Sequence, residues 1–223
     1  MRLLIVYFAL LVFVASAGAE VFWFEAEEFD EEKSNPIFVG QVNASWDIKE
    51  DTKQEIRDDK VSFNNKYVIS VGGNRDVVAG AAGLAYILPE VENPVGWKLW
   101  TRCIMGDTGS DSFFLQISKN GGETWRPPEP MECHGAEVFQ EWRWHRPWDV
   151  TLVKGEGNGI RISERESNAK LDVICLRNDN QTPTDEEYQA YLDEIEKQKI
   201  AVDARGKLAG TWGKIKAGAN SDR

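Results

Sequence analysis

Two acidic residues near the start of the chain have the spacing of cation ligands. Glu25 and Glu27 stand two residues apart in a β-forming segment, so an extended backbone directs both carboxylates to one face. Like charges at such positions repel unless a cation or a basic side chain neutralises them, and carboxylate oxygens bind Ca²⁺ well. The pair therefore predicts a calcium site. The alternatives are ion pairs with Arg161, Arg165 or Lys98, or carboxylates that simply face water.

Tryptophan is the second residue type that could do chemistry, with nine in the chain. A sugar ring presents C–H groups on one face and hydroxyls at its edge, so a flat aromatic ring with polar neighbours can bind it. Trp125 precedes Arg126-Pro127-Pro128, which favours a loop and an exposed ring. Trp142 and Trp144 alternate with polar residues, so a strand places both on one face, which is either a binding surface or the core.

Polar residues in loops after strand-like segments could contact sugar hydroxyls. The candidates are Asn74 and Arg75, which follow Gly72-Gly73, and Asn178. Their amide and guanidinium groups can donate hydrogen bonds to hydroxyl oxygens. Loops are polar by default, so simple solvent exposure is the alternative.

Catalytic motifs are absent from the sequence. The histidines, His134 and His145, are not in a metal-ligand spacing, and there is no G-x-S-x-G, glycine-rich phosphate loop or paired-cysteine zinc motif. Glu164 and Glu166 could act on a glycosidic bond as a carboxylate pair, but nearby arginines make surface salt bridges the commoner arrangement. The sequence therefore predicts a non-catalytic protein.

The start of the chain predicts export. Residues 1–19 have the pattern of a signal peptide, with Arg2, an apolar run from Leu3 to Ala15, and the small residues Ala17-Gly18-Ala19. An uncleaved anchor is the alternative, but the run is shorter than the roughly 18–20 apolar residues that span a bilayer. We expect a secreted or otherwise extracytoplasmic protein, in the periplasm or at a cell surface, with no membrane insertion after cleavage.

The net charge limits which partners the chain can bind, and the cysteines limit which disulfides it can form. A net charge of −11 argues against nucleic acid, which needs a concentrated basic face, and suits calcium or simply a solvated acidic surface. Cys103, Cys133 and Cys175 permit one disulfide. The sequence leaves open which pair forms and whether the thiols stay unpaired and buried.

Short β-rich segments separated by turns predict an all-β fold, an antiparallel β-sandwich over residues 20–182. Gly121-Gly122 and Ser167-Asn168 are turn signals that can supply positive φ. Helices and strands do not alternate, which argues against a parallel α/β sheet. The charged stretch Asp47–Lys60 is predicted as a surface loop. The predicted strands are Val21–Phe24, Tyr67–Val71, Leu84–Leu88, Trp97–Ile104, Phe113–Ser118, Glu141–Trp148, Asp149–Val153, Gly159–Ser163 and Leu171–Leu176.

The C-terminal region has a helical pattern. Thr184 precedes Asp185-Glu186-Glu187, which is typical of an N-cap followed by acids in the first turn. We predict an α-helix over residues 183–202 and a flexible tail over residues 203–223. An apolar stripe either packs on the sandwich or docks to a protein partner, and consists of Tyr188, Tyr191, Leu192 and Ile195.

Seven segments, in order along residues 21–179, carry a family resemblance. They are Phe24–Phe29, Lys66-Tyr67-Val68, Ala85–Pro89, Gly96–Arg102, Asp111–Phe114, Trp142-Arg143-Trp144 and Arg165–Ile174. Together they resemble the carbohydrate-binding modules of families 6 and 35, which are galactose-binding-like jelly rolls. Asn168 stands where relatives usually have glycine, and asparagine tolerates the left-handed conformation of that turn.

The resemblance implies a function and site residues. It implies a non-catalytic module that binds a poly- or oligosaccharide. It also implies that Asp172, on the final strand, joins Glu25 and Glu27 at a structural calcium site, and that Trp144 and Tyr67 belong to the sugar-binding surface. The predicted ligand-binding set is Tyr67, Asn74, Arg75, Trp125, Trp144 and Asn178. An extracellular scaffold or adhesion domain that keeps the fold without a sugar site is the alternative.

Overall fold

The computed structural model describes residues 19–36, 44–51, 61–72, 82–105, 107, 111–133 and 141–200. Of these, residues 19–183 belong to one unit and residues 184–200 to a second. The predicted tail and all but the last residue of the predicted signal peptide lie outside the described residues. None of the helical segments in these ranges combines the length and the hydropathy that a bilayer span requires.

The described part of residues 19–183 contains ten strands: β1 (Val21–Glu25), β2 (Trp46–Glu50), β3 (Lys66–Ser70), β4 (Gly83–Ile87), β5 (Lys98–Ile104), β6 (Ser112–Ser118), β7 (Glu129–Glu132), β8 (Arg143–Asp149), β9 (Gly159–Glu164) and β10 (Lys170–Arg177). They form two antiparallel sheets. A six-stranded sheet has the order β2-β3-β10-β5-β8, with β1 also paired to β10. A four-stranded sheet has the order β4-β9-β6-β7.

Strand β10 organises the six-stranded sheet. One of its edges pairs with β5 along the whole strand, while the other edge pairs first with β3 and then with β1. A β-bulge between Leu171 and Val173 contains Asp172. The bulge separates the residues of β10 that pair with β3 from those that pair with β1.

The core lies between the two sheets. Side chains alternate along each strand, so Leu99 of β5 packs into the core while Arg102 faces away from it. Trp46 of the six-stranded sheet stacks on Phe113 of the four-stranded sheet, with ring centroids 6.1 Å apart. The predicted all-β antiparallel sandwich is confirmed.

Most predicted strands agree with the observed strands except at their terminal residues, but two edge strands are not revealed by the sequence. Asp47–Glu50, predicted as part of a loop, belongs to β2, and β7 contains Pro130. Edge strands tolerate charges and proline because one side of the backbone has no strand partner. Residues 52–60 of the predicted loop lie outside the described residues.

The predicted strand Asp149–Val153 is wrong, because β8 already ends at Asp149. Beyond Asp149 the backbone donates hydrogen bonds to residues outside the strands: Val150 N donates to Trp97 O, and Val153 N donates to Oδ1 of Asn158. The predicted turn at Asn168 is confirmed, with a φ of 65°. Its backbone N donates to Ser70 O at 2.8 Å, which ties the turn to the end of β3.

The second unit contains the predicted C-terminal helix, which is observed over residues 185–200. Thr184 Oγ1 accepts a hydrogen bond from Glu187 N at 3.1 Å, and Glu187 Oε2 accepts one from Thr184 N at 3.4 Å. This reciprocal pair is a capping box, which satisfies backbone donors of the first turn. Tyr188 and Tyr191 of the predicted apolar stripe stack with centroids 5.8 Å apart.

Candidate functional site

A surface pocket of about 290 Å³ lies where the chain leaves β6 and approaches β7. We call it the Trp125 pocket. Trp125, which the sequence predicts to be exposed on a loop, is half-buried in its wall. The pocket is lined by Ile117, Lys119, Asn120, Thr124, Trp125 and Arg126.

Hydrogen bonds within the loop fix its shape. Asn120 Oδ1 accepts from Ser118 Oγ at 2.9 Å and from Thr124 N at 3.0 Å, while Asn120 Nδ2 donates to Thr124 Oγ1 at 2.9 Å. Gly121 and Gly122 have φ angles of 68° and 78°, which a residue without a side chain adopts readily. The amide of Asn120 is therefore used to hold the loop in place.

Neighbouring residues position the indole ring of Trp125. The guanidinium carbon of Arg161, on β9, lies 4.6 Å from the ring centroid in a cation–π arrangement. Arg161 is itself oriented, because its Nε donates to Gln116 Oε1 at 3.0 Å. A β-carbon at Gly122 would lie 3.2 Å from the ring, so this glycine lets the backbone approach its edge.

The rim of the Trp125 pocket is basic. Lys119 and Arg126 line it, and in the described part of the chain neither side chain has an ion-pair or hydrogen-bond partner. Arg161 has no carboxylate partner there either. Partial burial lowers the pKa of Arg161, because desolvation disfavours the charged form.

Tyr67 lies in a buried cluster rather than on a sugar-binding surface. Its side chain is 2 % exposed and meets Trp142 edge to face, with centroids 5.5 Å apart. Ile104 and Ile69 complete this packing. The exposed role predicted for Tyr67 is therefore wrong in this structure, because the ring stabilises the outer side of the six-stranded sheet.

Trp144 lies on β8 and is half-buried. It pairs in register with Arg102 of β5, so it also lies on the side of the sheet that faces away from the core. Its ring meets that of Trp23 at a centroid distance of 5.6 Å. Trp142 precedes the strand and is fully buried, so the two tryptophans that alternate in the sequence differ in burial.

Asn178 forms hydrogen bonds with Glu20, near the N-terminal end of the described residues. Its Oδ1 accepts from Glu20 N at 2.9 Å, and its Nδ2 lies 3.5 Å from both Glu20 Oε2 and Asn93 O. The Glu20 carboxylate in turn accepts from Glu92 N and Asn93 N, each at 2.8 Å. Asn74 and Arg75 lie outside the described residues, and sugar contact by any of these residues stays a prediction.

Asp172 is fully buried and forms an ion pair with Arg102, a partner that the sequence does not indicate. Phe63 N also donates to Asp172 Oδ1 at 3.1 Å. The Arg102 guanidinium lies between two rings, 4.6 Å from the centroid of Phe63 and 5.6 Å from that of Trp142. Burial raises the pKa of Asp172 while Arg102 opposes that shift. We call these four residues the Arg102 cluster.

Glu25 and Glu27 do not share one strand face, because β1 ends at Glu25 and a turn follows. Asn64 Nδ2 donates to Glu25 Oε1 at 2.7 Å. Burial raises the pKa of Glu27, and one of its carboxylate oxygens is buried without a hydrogen bond. Within the described residues, His, Cys, Asp and Glu side chains form no group of three or more that could hold a metal ion. Asp172 is paired with Arg102, and calcium binding by Glu25, Glu27 and Asp172 stays a prediction.

Cys103 and Cys133 are neighbours in the core. Both are fully buried, and the Cys103 thiol is near enough to Cys133 to affect its pKa. Burial, followed by this contact, raises the pKa of Cys133. Cys103 lies on β5 of the six-stranded sheet, and Cys133 directly follows β7 of the four-stranded sheet. Cys175 lies on β10 and is buried as well.

Comparisons with known proteins place this fold among similar structures. The chain is similar to the C-terminal CBM6 of LamC, a marine laminarinase from Zobellia galactanivorans (TM-score 0.42, 10% identity, 70% of this chain and 98% of that chain). It is also similar to a family 35 carbohydrate-binding module from Clostridium thermocellum (TM-score 0.39, 14% identity, 69% and 96%). An exo-β-1,3-galactanase from Phanerochaete chrysosporium, solved with galactose, matches over 70% of this chain and 29% of that chain (TM-score 0.40, 15% identity).

Modules of families 6 and 35 are among the structures to which this chain is similar. Neither a protein-family model nor a curated protein sequence matches the chain.

Proposed function

We propose that this protein is a non-catalytic module that binds carbohydrate through the Trp125 pocket. The observation that carries the proposal is the half-buried indole of Trp125, held in the wall of a 290 Å³ pocket by Arg161 and a hydrogen-bonded loop. An aromatic ring in a fixed orientation stacks on the C–H face of a sugar with little loss of side-chain entropy. The motif resemblance to carbohydrate-binding modules supports the same function.

The neighbours of Trp125 suit the polar edge of a sugar. Lys119 and Arg126 can donate hydrogen bonds to hydroxyl oxygens, and neither is engaged with another described side chain. The pocket volume is at the lower end of the range for small-molecule sites, roughly 300–1,000 Å³. We therefore expect one or two sugar residues to be bound, with weak affinity in the roughly millimolar to ten-micromolar range.

We further propose that the protein is exported by its N-terminal signal peptide and works outside the cytoplasm. The basic, apolar and small-residue pattern of residues 1–19 supports this location. Weak single-site binding is most useful when a module is tethered or repeated. The apolar stripe of the C-terminal helix is our proposed contact for a protein partner.

Affinity electrophoresis of the full chain in gels that contain polysaccharides tests the proposal. We expect retardation by at least one polymer, and we expect Trp125→Ala to weaken it about tenfold, since stacking accounts for much of the affinity. Trp144→Ala is the matched control, because Trp144 is a half-buried tryptophan on the other sheet. Loss of binding in Trp144→Ala but not in Trp125→Ala would move the site to the six-stranded sheet, and no retardation at all would favour the scaffold alternative.

Calcium binding by Glu25, Glu27 and Asp172 remains a separate proposal. The buried, unbonded oxygen of Glu27 supports it, whereas the pairing of Asp172 with Arg102 favours the ion-pair alternative. If Ca²⁺ binds, a chelator lowers the melting temperature, because the ion binds only the folded state. A melting temperature that is the same with chelator and with added Ca²⁺ would eliminate the site.

A further inference from the structure

The charges near the Trp125 pocket are opposite to the charge of the chain. The whole chain carries a net charge of −11, but Lys119 and Arg126 line the pocket and Arg161 stacks on its indole ring. A fourth cation is close, because a β-carbon placed on Gly122 would lie 3.2 Å from Lys33 Cδ as well as from Trp125. Two cations therefore line the pocket, one stacks on its aromatic ring, and the aliphatic part of Lys33 approaches the same loop.

Acidic residues also lie near this group. Glu123 in the loop, Glu31 and Glu32 beside Lys33, and Glu156, whose neighbour Gly157 approaches Asn120, are exposed to solvent. In the part of the chain that the structure describes, none of the four basic side chains forms an ion pair with an acidic residue. Neighbouring like charges repel one another, and a bound anion would relieve this repulsion.

We propose that the Trp125 pocket selects acidic saccharides, with a sugar ring stacked on Trp125 and its carboxylate or sulfate group bound by Lys119 and Arg126. This inference rests on the proposed function, because it uses the same aromatic ring. Arginine presents a planar fork that matches a carboxylate or a sulfate, and lysine adds a mobile point charge.

Pairs of polymers that differ only in their acidic groups distinguish recognition of the acid from recognition of the sugar. Polygalacturonate is compared with the same polymer after its carboxylates have been reduced to alcohols, and dextran sulfate is compared with dextran. The first pair tests a carboxylate source and the second a sulfate source. We expect the full chain to be retarded at least about tenfold more by one acidic polymer than by its neutral partner, and we expect added salt to reduce the difference.

Two sets of variants test the assignment. Lys119→Ala combined with Arg126→Ala is expected to weaken binding of the acidic polymer about tenfold and to leave the weaker binding of the neutral polymer unchanged. Trp125→Ala weakens both. Lys197→Ala combined with Lys199→Ala, at exposed helix positions, removes the same charge far along the chain and should change neither. Melting temperatures confirm that each variant is folded.

The outcomes distinguish this inference from the function on which it rests. Equal retardation by acidic and neutral polymers, unchanged in Lys119→Ala/Arg126→Ala, overturns the acid selectivity while the carbohydrate-binding function stands. Retardation by no polymer overturns both. Binding of acidic polymers that survives Trp125→Ala, or tighter binding of a single-stranded oligonucleotide of equal charge, also overturns the inference, because the cations would then form a general anion-binding surface.

Discussion

The Arg102 cluster and the Trp125 pocket both place an arginine over an aromatic ring at 4.6 Å, but in opposite environments. Arg102 is 2 % exposed and is paired with the fully buried Asp172. Arg161 is half-buried and has no carboxylate partner among the described residues. The same contact between a guanidinium and a ring thus occurs once with its charge satisfied inside the protein and once with its charge unsatisfied beside a pocket.

The difference indicates which region holds the fold together and which is available to a ligand. A buried charge must be paired, since an isolated ion in a low-dielectric interior is strongly unfavourable. A partly exposed arginine can remain unpaired because water solvates it, and it keeps the capacity to bind an anion. Disrupting the Arg102 cluster should therefore reduce stability, whereas disrupting the Trp125 pocket should reduce binding.

The largest effect is expected from Arg102→Met. Removing the cation leaves the Asp172 carboxylate buried without its partner, which costs about 3–5 kcal/mol of unfolding free energy. Urea unfolding followed by tryptophan fluorescence measures the loss. The double variant Arg102→Met/Asp172→Leu should be closer to the wild type, because no charge is then buried. A single variant within about 1 kcal/mol of the wild type would contradict a stabilising role for the cluster.

The next largest effect concerns the contact between Cys103 and Cys133. We expect glutathione disulfide, present while the unfolded chain refolds, to oxidise this pair: the two thiols lose two protons and two electrons, one S–S bond forms, and the oxidant becomes two molecules of glutathione. Closing a loop of about 30 residues stabilises the protein by roughly 3–4 kcal/mol in the chain-entropy model. Peptide mapping should find the 103–133 crosslink, and Cys133→Ser is the control. A crosslink that involves Cys175 instead would show that the assigned neighbours are wrong.

A smaller effect is expected from Arg161→Ala. Losing the cation–π contact should change the unfolding free energy by only about 0.5–1 kcal/mol. Retardation by a polysaccharide should nevertheless fall several-fold, because Trp125 loses the group that fixes its orientation. Arg161→Lys keeps a cation near the ring and should recover part of the binding. A variant that is strongly destabilised but binds normally when folded would contradict the prediction that Arg161 contributes to binding rather than to stability.

The smallest expected effect is the contribution of Glu27 to the pH dependence of stability. Its pKa in the folded protein is raised above the ordinary value of 4.5 by burial, so the folded state holds the proton where the unfolded state has lost it. The contribution of Glu27 to stability is therefore fully present below pH 4.5 and declines as the pH rises through the raised pKa. Glu27→Gln should remove this decline in melting temperatures measured between about pH 4 and pH 7. An unchanged pH profile would show that the carboxyl is not perturbed.

Local rules explain what could be predicted from the sequence. Asn168 adopts the left-handed conformation expected of asparagine in place of glycine, and Thr184 and Glu187 form the expected helix cap. Alternating apolar residues were enough to locate most strands and the sandwich. The loop position of Trp125 also follows from its sequence context, since glycines precede it and prolines follow it. Its half-burial in a pocket wall was not predicted.

Contacts between distant residues explain what could not be predicted. Arg102 and Asp172 are 70 residues apart, and their pairing depends on β5 lying beside β10. Tyr67 is buried by Trp142 and Ile104, which come from other parts of the chain. Arg161 meets Trp125 only because β9 lies beside β6. A sequence pattern records the type of each residue but not which strands become neighbours.

The pairing of β10 with β1 has a consequence for how the chain acquires its structure. Val21 pairs with Arg177, so the first strand has to wait for the last one before it gains its backbone partners. Contacts between residues so far apart slow folding, because a long loop must close before they form. During synthesis β1 therefore emerges early, and its unsatisfied backbone groups remain vulnerable to aggregation until the ribosome has passed residue 177.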